Sequence, residues 1–514
     1  MKSYEKNLDD LIFYDIYPTS FYDSNGDGVG NLNGIREKLD YVASLGVNAV
    51  WINPFYKSVF NDGGYDICDY YSVDPRFGTM EDFENLVAEC GKRGIKVYID
   101  LVIGHTSDEH PWFIDSCKKE RNEHSDWYIW TPDLITRDEL CVANPKERDG
   151  CYRINYYFKQ PALNFGFEDP DKDKPWQWHY TDPRLKPLRD EIVKMMKFWC
   201  SKGIDGFRCD MALFMVKGSK THDGTVWLWN TLIGEVHKEY PHIAFLAEGG
   251  IPSLSVGRCG FDLDYLTHDV QSYNALIRNE RGMNIARYFE LGDNYFSENG
   301  KGNVANFVDY TMNLDKEIAN RGAYVFGTGN HDLTRVSEGK SEEMMKLIFA
   351  FVLTWKSVPL IYYGDEIYMK YMRGIHKDGG TVRTGSRTPM QWSEAKNRGF
   401  SVADKNLLYL PVNEDGESVE KQEKRGNSLL HVVRKLTELH KKMPYSAGVK
   451  VIEDGYPLIY ERHTDSGIYT VFIQPAKART ERVVDYGETL IAENCTVTNG
   501  KLTSEGVCFA IFHR

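Results

Sequence analysis

Long apolar runs are missing from this sequence. No stretch of its 514 residues reaches the about 18 consecutive apolar positions that a membrane-spanning helix needs, so no membrane partner is expected. Positive charge is in short supply: 62 Lys and Arg stand against 75 Asp and Glu, a net charge of −13. A nucleic acid would have to bind against that field, and a neutral ligand fits better. Low-complexity tracts are absent and Pro and Gly contents are ordinary, which excludes disordered and fibrous classes. The ten cysteines include no C-x-x-C pair and read as free thiols rather than a disulfide framework or a zinc site. Cys209 reads as core packing. The start, MKSYEKNLDDLIFYDIYP, lacks a basic segment followed by an apolar one, and the protein is expected in the cytoplasm, as a monomer. No G-x-G-x-x-G follows the first strand, so no dinucleotide or other organic cofactor is expected.

A folded chain of this length exceeds one compact core, so two or three domains are expected. Several segments repeat one grammar: an amphipathic helix, a Gly stop, then a short apolar strand with a polar end. From Thr79, a capping-box start leads through Phe83, Leu86, Val87 and Cys90 to Gly94 and the strand IKVYIDLVI. Likewise Ile35, Leu39 and Val42 lead to Gly46 and VNAVWIN, and Leu188, Ile192, Met195 and Trp199 lead to Gly203 and IDGFRCD. Such alternation predicts an α/β fold, a closed (β/α)₈ TIM barrel spanning 1–105 and 181–445. The about 80 residues between His105 and Pro187 are too many for a connection and predict an inserted subdomain, 106–180. It is rich in Trp and Tyr, most of them read as its small core. After a helix near Asn427 to Lys442, the alternating YPLIYER, GIYTVFIQ and GVCFAIF with an Asn499-Gly500 turn predict an antiparallel C-terminal β domain, 446–514.

Barrel chemistry gathers at the carboxyl ends of the strands. Arg208 and Asp210, two apart, project to one side, and the Arg charge is expected to hold the carboxylate ionised. Glu248 ends the apolar run IAFLAE, where desolvation favours a protonated acid. Asn330-His331-Asp332 ends another strand, and His beside Asp suits sugar hydroxyls. Two carboxyls flanking a glycosidic bond are the minimum a glycosidase requires. Separately, Asp23, Asn25 and Asp27 alternate in DSNGDGVGN and, with the Val29 carbonyl and Asn31, form an all-oxygen set suited to a hard cation such as Ca²⁺. The plain alternative is an Asp/Asn/Gly turn.

In order along the chain, GVNAVWINP (46–54), GYDICDYYSVDPRFGT (64–79), DLVIGHTSDEHPWF (100–113), QPALNF (160–165), GIDGFRCD (203–210), FLAEGG (245–250), GNHD (329–332) and YYGDEI (362–367) resemble the motifs of the α-amylase family, glycoside hydrolase family 13. The resemblance implies Asp210 as nucleophile, Glu248 as general acid/base and Asp332 as the carboxylate that binds the reacting ring. It implies Tyr65, Asp66, His105, Phe165, Arg208 and His331 as substrate-binding residues, and an α-linked gluco-oligosaccharide as substrate. HTSDEHPWF and SRTPMQWSEAKNRGFS (386–401) look most like the oligo-1,6-glucosidase, α-glucosidase and trehalose synthase branch, whose first loop also resembles the Asp23–Asn31 segment.

Gly104, Ala162 and Phe214 stand where endo-amylases carry ligands of the calcium between barrel and insert, so that ion is not expected. The missing side chain at Gly104 is expected to loosen that corner. Met211, after the nucleophile, maps to no linkage preference. Three readings follow: an exo-acting retaining α-glucosidase for short α-1,6- or α-1,4-linked substrates, a trehalose synthase-type isomerising transglucosidase, or a non-catalytic family member used for binding. The third is disfavoured by retention of all three carboxylates.

Overall fold

The computed structural model describes residues 8–132, 140–143, 146–266, 273, 275–278 and 293–514. The apolar runs form eight strands: β1 Phe13–Ile16, β2 Ala49–Ile52, β3 Lys96–Leu101, β4 Gly206–Cys209, β5 Ala244–Ala247, β6 Leu263–Tyr265, β7 Ala323–Gly327 and β8 Val358–Tyr362. They form a closed parallel barrel in sequence order, β8 returning to β1. Every residue of β1, β2, β4 and β5 is buried, so these strands do not alternate between apolar and polar, and the charges of Asp15 in β1 and Arg208 in β4 are buried with them.

By internal contacts the chain divides into two compact units. The first is centred on Trp51–Asp264. Its helix Met80–Lys92 starts at Thr79, whose side chain accepts the Asp82 N–H while Asp82 accepts the Thr79 N–H, so the expected capping box is formed. That helix buries Phe83, Leu86 and Cys90, and the helix Lys186–Cys200 buries Leu188, Ile192, Met195 and Trp199. Phe83 meets Phe55 at 4.9 Å and Trp199 at 5.3 Å, so the two helices share one aromatic seam, each buried ring contributing about 1.5–3 kcal/mol. Between β3 and the second helix lies a small antiparallel sheet of Trp130–Thr131, Cys141–Ala143 and Cys151–Arg153. Phe113, Trp130 and Tyr152 pack its core, with ring centroids 4.9–5.9 Å apart.

The second unit holds Asn7–Val50, Tyr265–His376 and Val382–Arg514. Its helix Glu342–Thr354 is capped by Ser341 and buried on every side from Met344 onward, the mark of a core helix. A five-stranded antiparallel sheet, Gly448–Asp454 to Cys508–His513, packs on that helix. Tyr460 Oη meets Thr354 Oγ1 at 2.6 Å, and the buried Lys346 reaches Glu493 at 3.1 Å. Asn499 and Gly500 both take positive φ in a tight turn between two short strands. The preceding helix runs Leu429–His440, slightly shorter than expected, because Ser428 caps its start. All ten cysteines are free thiols. Among the described residues, no helix is long and apolar enough to cross a membrane.

Candidate active site

β4 ends at Cys209, so Arg208 and Asp210 lie on the same side of one strand end. Arg208 is fully buried. Its Nη1 donates to Asp210 Oδ1 at 3.0 Å and to Asp100 Oδ1 at 2.5 Å, while Nη2 meets Glu248 Oε2 at 2.9 Å. The guanidinium lies 4.9 Å from the Trp51 ring and 5.7 Å from the Tyr65 ring. Trp51 Nε1 and Tyr65 Oη both donate to Asp100 Oδ2, at 2.7 and 3.4 Å. Glu248 follows β5 directly and accepts the Met211 N–H at 2.8 Å. To aim that N–H, Met211 takes a left-handed φ of 44°, a strain of about 1–3 kcal/mol for a residue with a side chain.

Burial pushes Asp210 well above the usual carboxylate range, and the charges of Glu248 and Asp100 add to it. Arg208 pulls the other way without prevailing, so the expectation that it simply keeps Asp210 ionised is corrected. The Glu248 carboxyl acts on Asp210 both through its charge and as a hydrogen-bond neighbour, and both effects raise Asp210. Asp100 is raised by burial to about 6, against Arg208 and Trp51.

Not every residue implied by the family motifs joins this cluster. Asp66 is buried, and its oxygens accept from Asn61 N–H, Asp62 N–H and Ser58 Oγ at 2.8–3.3 Å, so it braces the 58–62 loop. Burial raises it to about 6. His105 lies against the Tyr65 carbonyl through Nε2 at 2.9 Å and takes Asn155 Nδ2 on Nδ1 at 3.2 Å, which fixes a neutral tautomer. Burial lowers it to about 4. Phe165 is buried.

Asp332 follows β7 in the second unit. Its Oδ1 accepts from Arg383 Nη1 at 2.8 Å and Arg387 Nη2 at 2.9 Å, and its Oδ2 lies 3.3 Å from His331 Nε2. Arg387 also donates to the His331 carbonyl at 2.9 Å, and the His331 ring stacks on Tyr17 at 6.3 Å. Neither arginine stood out in the sequence, since both lie more than 50 residues past the acid in a segment noted only for family likeness. Asp100 and Asp264 were also missed, although each is an acid flanked by apolar residues inside a strand, which is a usable signal.

The expectation of a loosened corner at Gly104 is overturned. A Cβ there would come within 2.7 Å of Asn155 Nδ2 and 3.1 Å of Met215 Cε, so other side chains already fill the space. Asn155 also touches Met211 Sδ at 3.5 Å. Lys217 Nζ closes the corner by donating to Asn155 Oδ1 at 2.9 Å and to the Phe214 carbonyl at 2.6 Å. Burial lowers this amine to about 7.

In the Asp23–Asn31 loop, Asp23 accepts the N–H groups of Asn25, Gly26 and Gly28 at 2.7–3.2 Å. Asn25 Nδ2 meets Asp27 Oδ2 at 3.0 Å, Asn31 Nδ2 meets Asn25 Oδ1 at 3.3 Å, and Val29 N–H meets Asp27 Oδ1 at 2.9 Å. Asn31 Oδ1 caps the following helix by accepting the Gly34 N–H at 2.8 Å and takes Ser24 Oγ at 2.7 Å, while Asp23 Oδ2 also accepts Ser401 Oγ at 2.5 Å, so the loop is closed by its own hydrogen bonds, as an Asp/Asn/Gly turn is.

The family profile described as Alpha amylase, catalytic domain, matches residues 15–447. An oligo-1,6-glucosidase from Parageobacillus thermoglucosidasius is 31% identical, over 88% of this chain and 87% of its own. A glucan 1,6-alpha-glucosidase from Streptococcus pneumoniae is 31% identical, over 85% of each chain. Among solved structures, the trehalulose synthase MutB from Pseudomonas mesoacidophila superposes with a TM-score of 0.80 at 24% identity, covering 98% of both chains, a likeness of fold.

Proposed function

The chain belongs to the α-amylase family and is a glycoside hydrolase, and from that premise we propose that it is a retaining, exo-acting α-glucosidase for short gluco-oligosaccharides. The observation that carries this reading is the single Arg208 guanidinium that holds both Asp210 and Glu248. Inverting enzymes hold their carboxyls about 6.5–9.5 Å apart to leave room for a water, and two carboxyls bound by one guanidinium favour the closer arrangement of retaining enzymes.

Asp210 attacks the anomeric carbon as Glu248 gives its proton to the glycosidic oxygen; the C–O bond breaks and a glucosyl ester forms on Asp210. Glu248 then takes a proton from water, whose oxygen attacks the same carbon and releases glucose. The reactive form needs a proton on Glu248 and the charge on Asp210, and the positive charge that develops on the sugar favours that arrangement. In the second unit, Asp332, set by its two arginines, and His331 are suited to ring hydroxyls; in the first, Tyr65 is the aromatic contact, and His105 supports it through the Tyr65 carbonyl. The names of two relatives favour α-1,6 over α-1,4 linkages. Asp23, Asn25, Asp27, the Val29 carbonyl and Asn31 would hold a structural Ca²⁺ once the loop's own donors turn away from these oxygens, and the ion would stabilise the loop after β1 without taking part in the chemistry.

A second reading, the trehalose synthase-type isomerase, is favoured by the packed corner at Gly104, which removes one route for water into the site. Proton NMR of separate maltose, isomaltose and trehalose incubations decides between them. Free glucose from the earliest points is expected; a trehalose signal outgrowing glucose from maltose overturns the hydrolase reading.

A further inference from the structure

We infer that Asp264 is a positioning residue for Glu248: its buried carboxylate gathers the backbone that follows the acid and so fixes where the acid stands. The inference rests on the acid role proposed above. Ala247 pairs with Asp264 across β5 and β6, which sets Asp264 level with the end of β5, one residue before Glu248. Gly249 and Gly250 N–H both donate to Oδ1, at 2.9 and 3.1 Å. Ile251 N–H donates to Oδ2 at 3.1 Å and Ser255 Oγ to the same oxygen at 2.6 Å. Three successive N–H groups converging on one carboxylate make an anion nest, and here the anion belongs to the protein itself.

This arrangement explains the two glycines after the acid. A Cβ at Gly249 would stand 2.7 Å from Asp264 Oδ2 and 3.2 Å from Leu213 Cδ1, and Gly250 takes a φ of 69°. The loop can therefore lie this close to the carboxylate only without side chains at those positions. The carboxyl of Glu248 is held through Met211 N–H and Arg208, both on Oε2. Its backbone is held separately, by Asp264. Asp264 is fully buried and touches no reacting atom, so it acts through the acid. Proton transfer demands hydrogen-bond reach, and a displacement of about 1 Å costs roughly 10²-fold in rate.

The test compares Asp264→Asn, Gly249→Ala and Glu248→Gln with the unaltered enzyme, on isomaltose and on 2,4-dinitrophenyl α-glucoside, whose leaving group needs little protonation. Asp264→Asn keeps the shape but turns an amide N–H₂ toward donors. It is expected to lose roughly 10- to 100-fold in kcat on isomaltose and less than about threefold on the activated glucoside. A merely structural role would lower the active fraction and cut both rates alike. Gly249→Ala displaces the same loop with the carboxylate intact, and decides the matter if Asp264→Asn does not fold. Equal losses on both substrates, or none, overturn the inference when Glu248→Gln itself spares the activated glucoside. Equal losses in Glu248→Gln overturn the acid assignment, and the inference with it.

Discussion

Around Arg208, three carboxylates share one guanidinium; around Asp332, two guanidiniums share one carboxylate. Both regions follow barrel strands and both are largely shielded from water, yet their charge ratios are reversed. In the first, burial and the neighbouring carboxylates together raise Asp210 against the pull of Arg208. In the second, one carboxylate is met by two charge-assisted hydrogen bonds that fix its direction. A reaction that must first give and then recover a proton uses the former, and a ring that must be gripped throughout uses the latter.

The largest effect that separates the regions is expected from Asp210→Asn: kcat on isomaltose falls by at least roughly 10³-fold, because no glucosyl ester forms. Its stability moves the other way. A carboxyl whose pKa is raised on folding destabilises the folded state once pH exceeds both pKa values, and that cost fades as pH falls toward the unfolded value. Asp210→Asn is therefore expected to melt above the parent at pH 7.5, with the difference shrinking at pH 5. Asp332→Asn, which strips two arginines of their partner, is expected to melt below it at both. Differential scanning calorimetry reads both signs, and a common sign for the two variants breaks the comparison.

Glu248→Gln is expected to lose about 10²- to 10⁴-fold on isomaltose and far less on the dinitrophenyl glucoside. Removing the Glu248 charge also removes one cause that raises Asp210. The acid limb of the residual activity, where the nucleophile becomes protonated, is then expected at lower pH than in the parent. An unmoved or upward-shifted limb in the pH–rate profile contradicts the coupling.

Within the cationic region, Arg387→Met removes a buried guanidinium from a largely buried ion pair and a bond to the His331 carbonyl, and is expected to cost about 3 kcal/mol. Arg383→Gln, at the more accessible of the two arginines, is expected to cost about 1 kcal/mol. Urea denaturation gives both values, and the reverse order would deny Arg387 its leading share. The smallest effect is chelation: EDTA is expected to lower the melting temperature by a few degrees with kcat unchanged, as loss of a bound ion worth about 2.7 kcal/mol at 100 Kd implies. A melting curve indifferent to EDTA and to added Ca²⁺, on metal-free protein, removes the Asp23–Asn31 site.

The barrel was legible because each buried parallel strand is an apolar run after an amphipathic helix with a Gly stop. Asp210, Glu248 and Asp332 were legible because each ends such a run. Their partners were less so. Arg383 and Arg387 reach Asp332 from a distant irregular segment that no local period marks, and Asp66 turns its oxygens into its own loop, a direction no motif encodes. At Gly104 the sequence shows a deletion of volume, and the compensating Asn155 lies about 50 residues later.

That compensation ties Gly104, Asn155 and Lys217 into one heritable unit. A side chain restored at 104 meets the Asn155 amide, while removing Asn155 takes away one of two acceptors of Lys217 and one of two partners of His105. A change at any one of these positions is therefore felt at the others, and their effects on stability are expected to be non-additive.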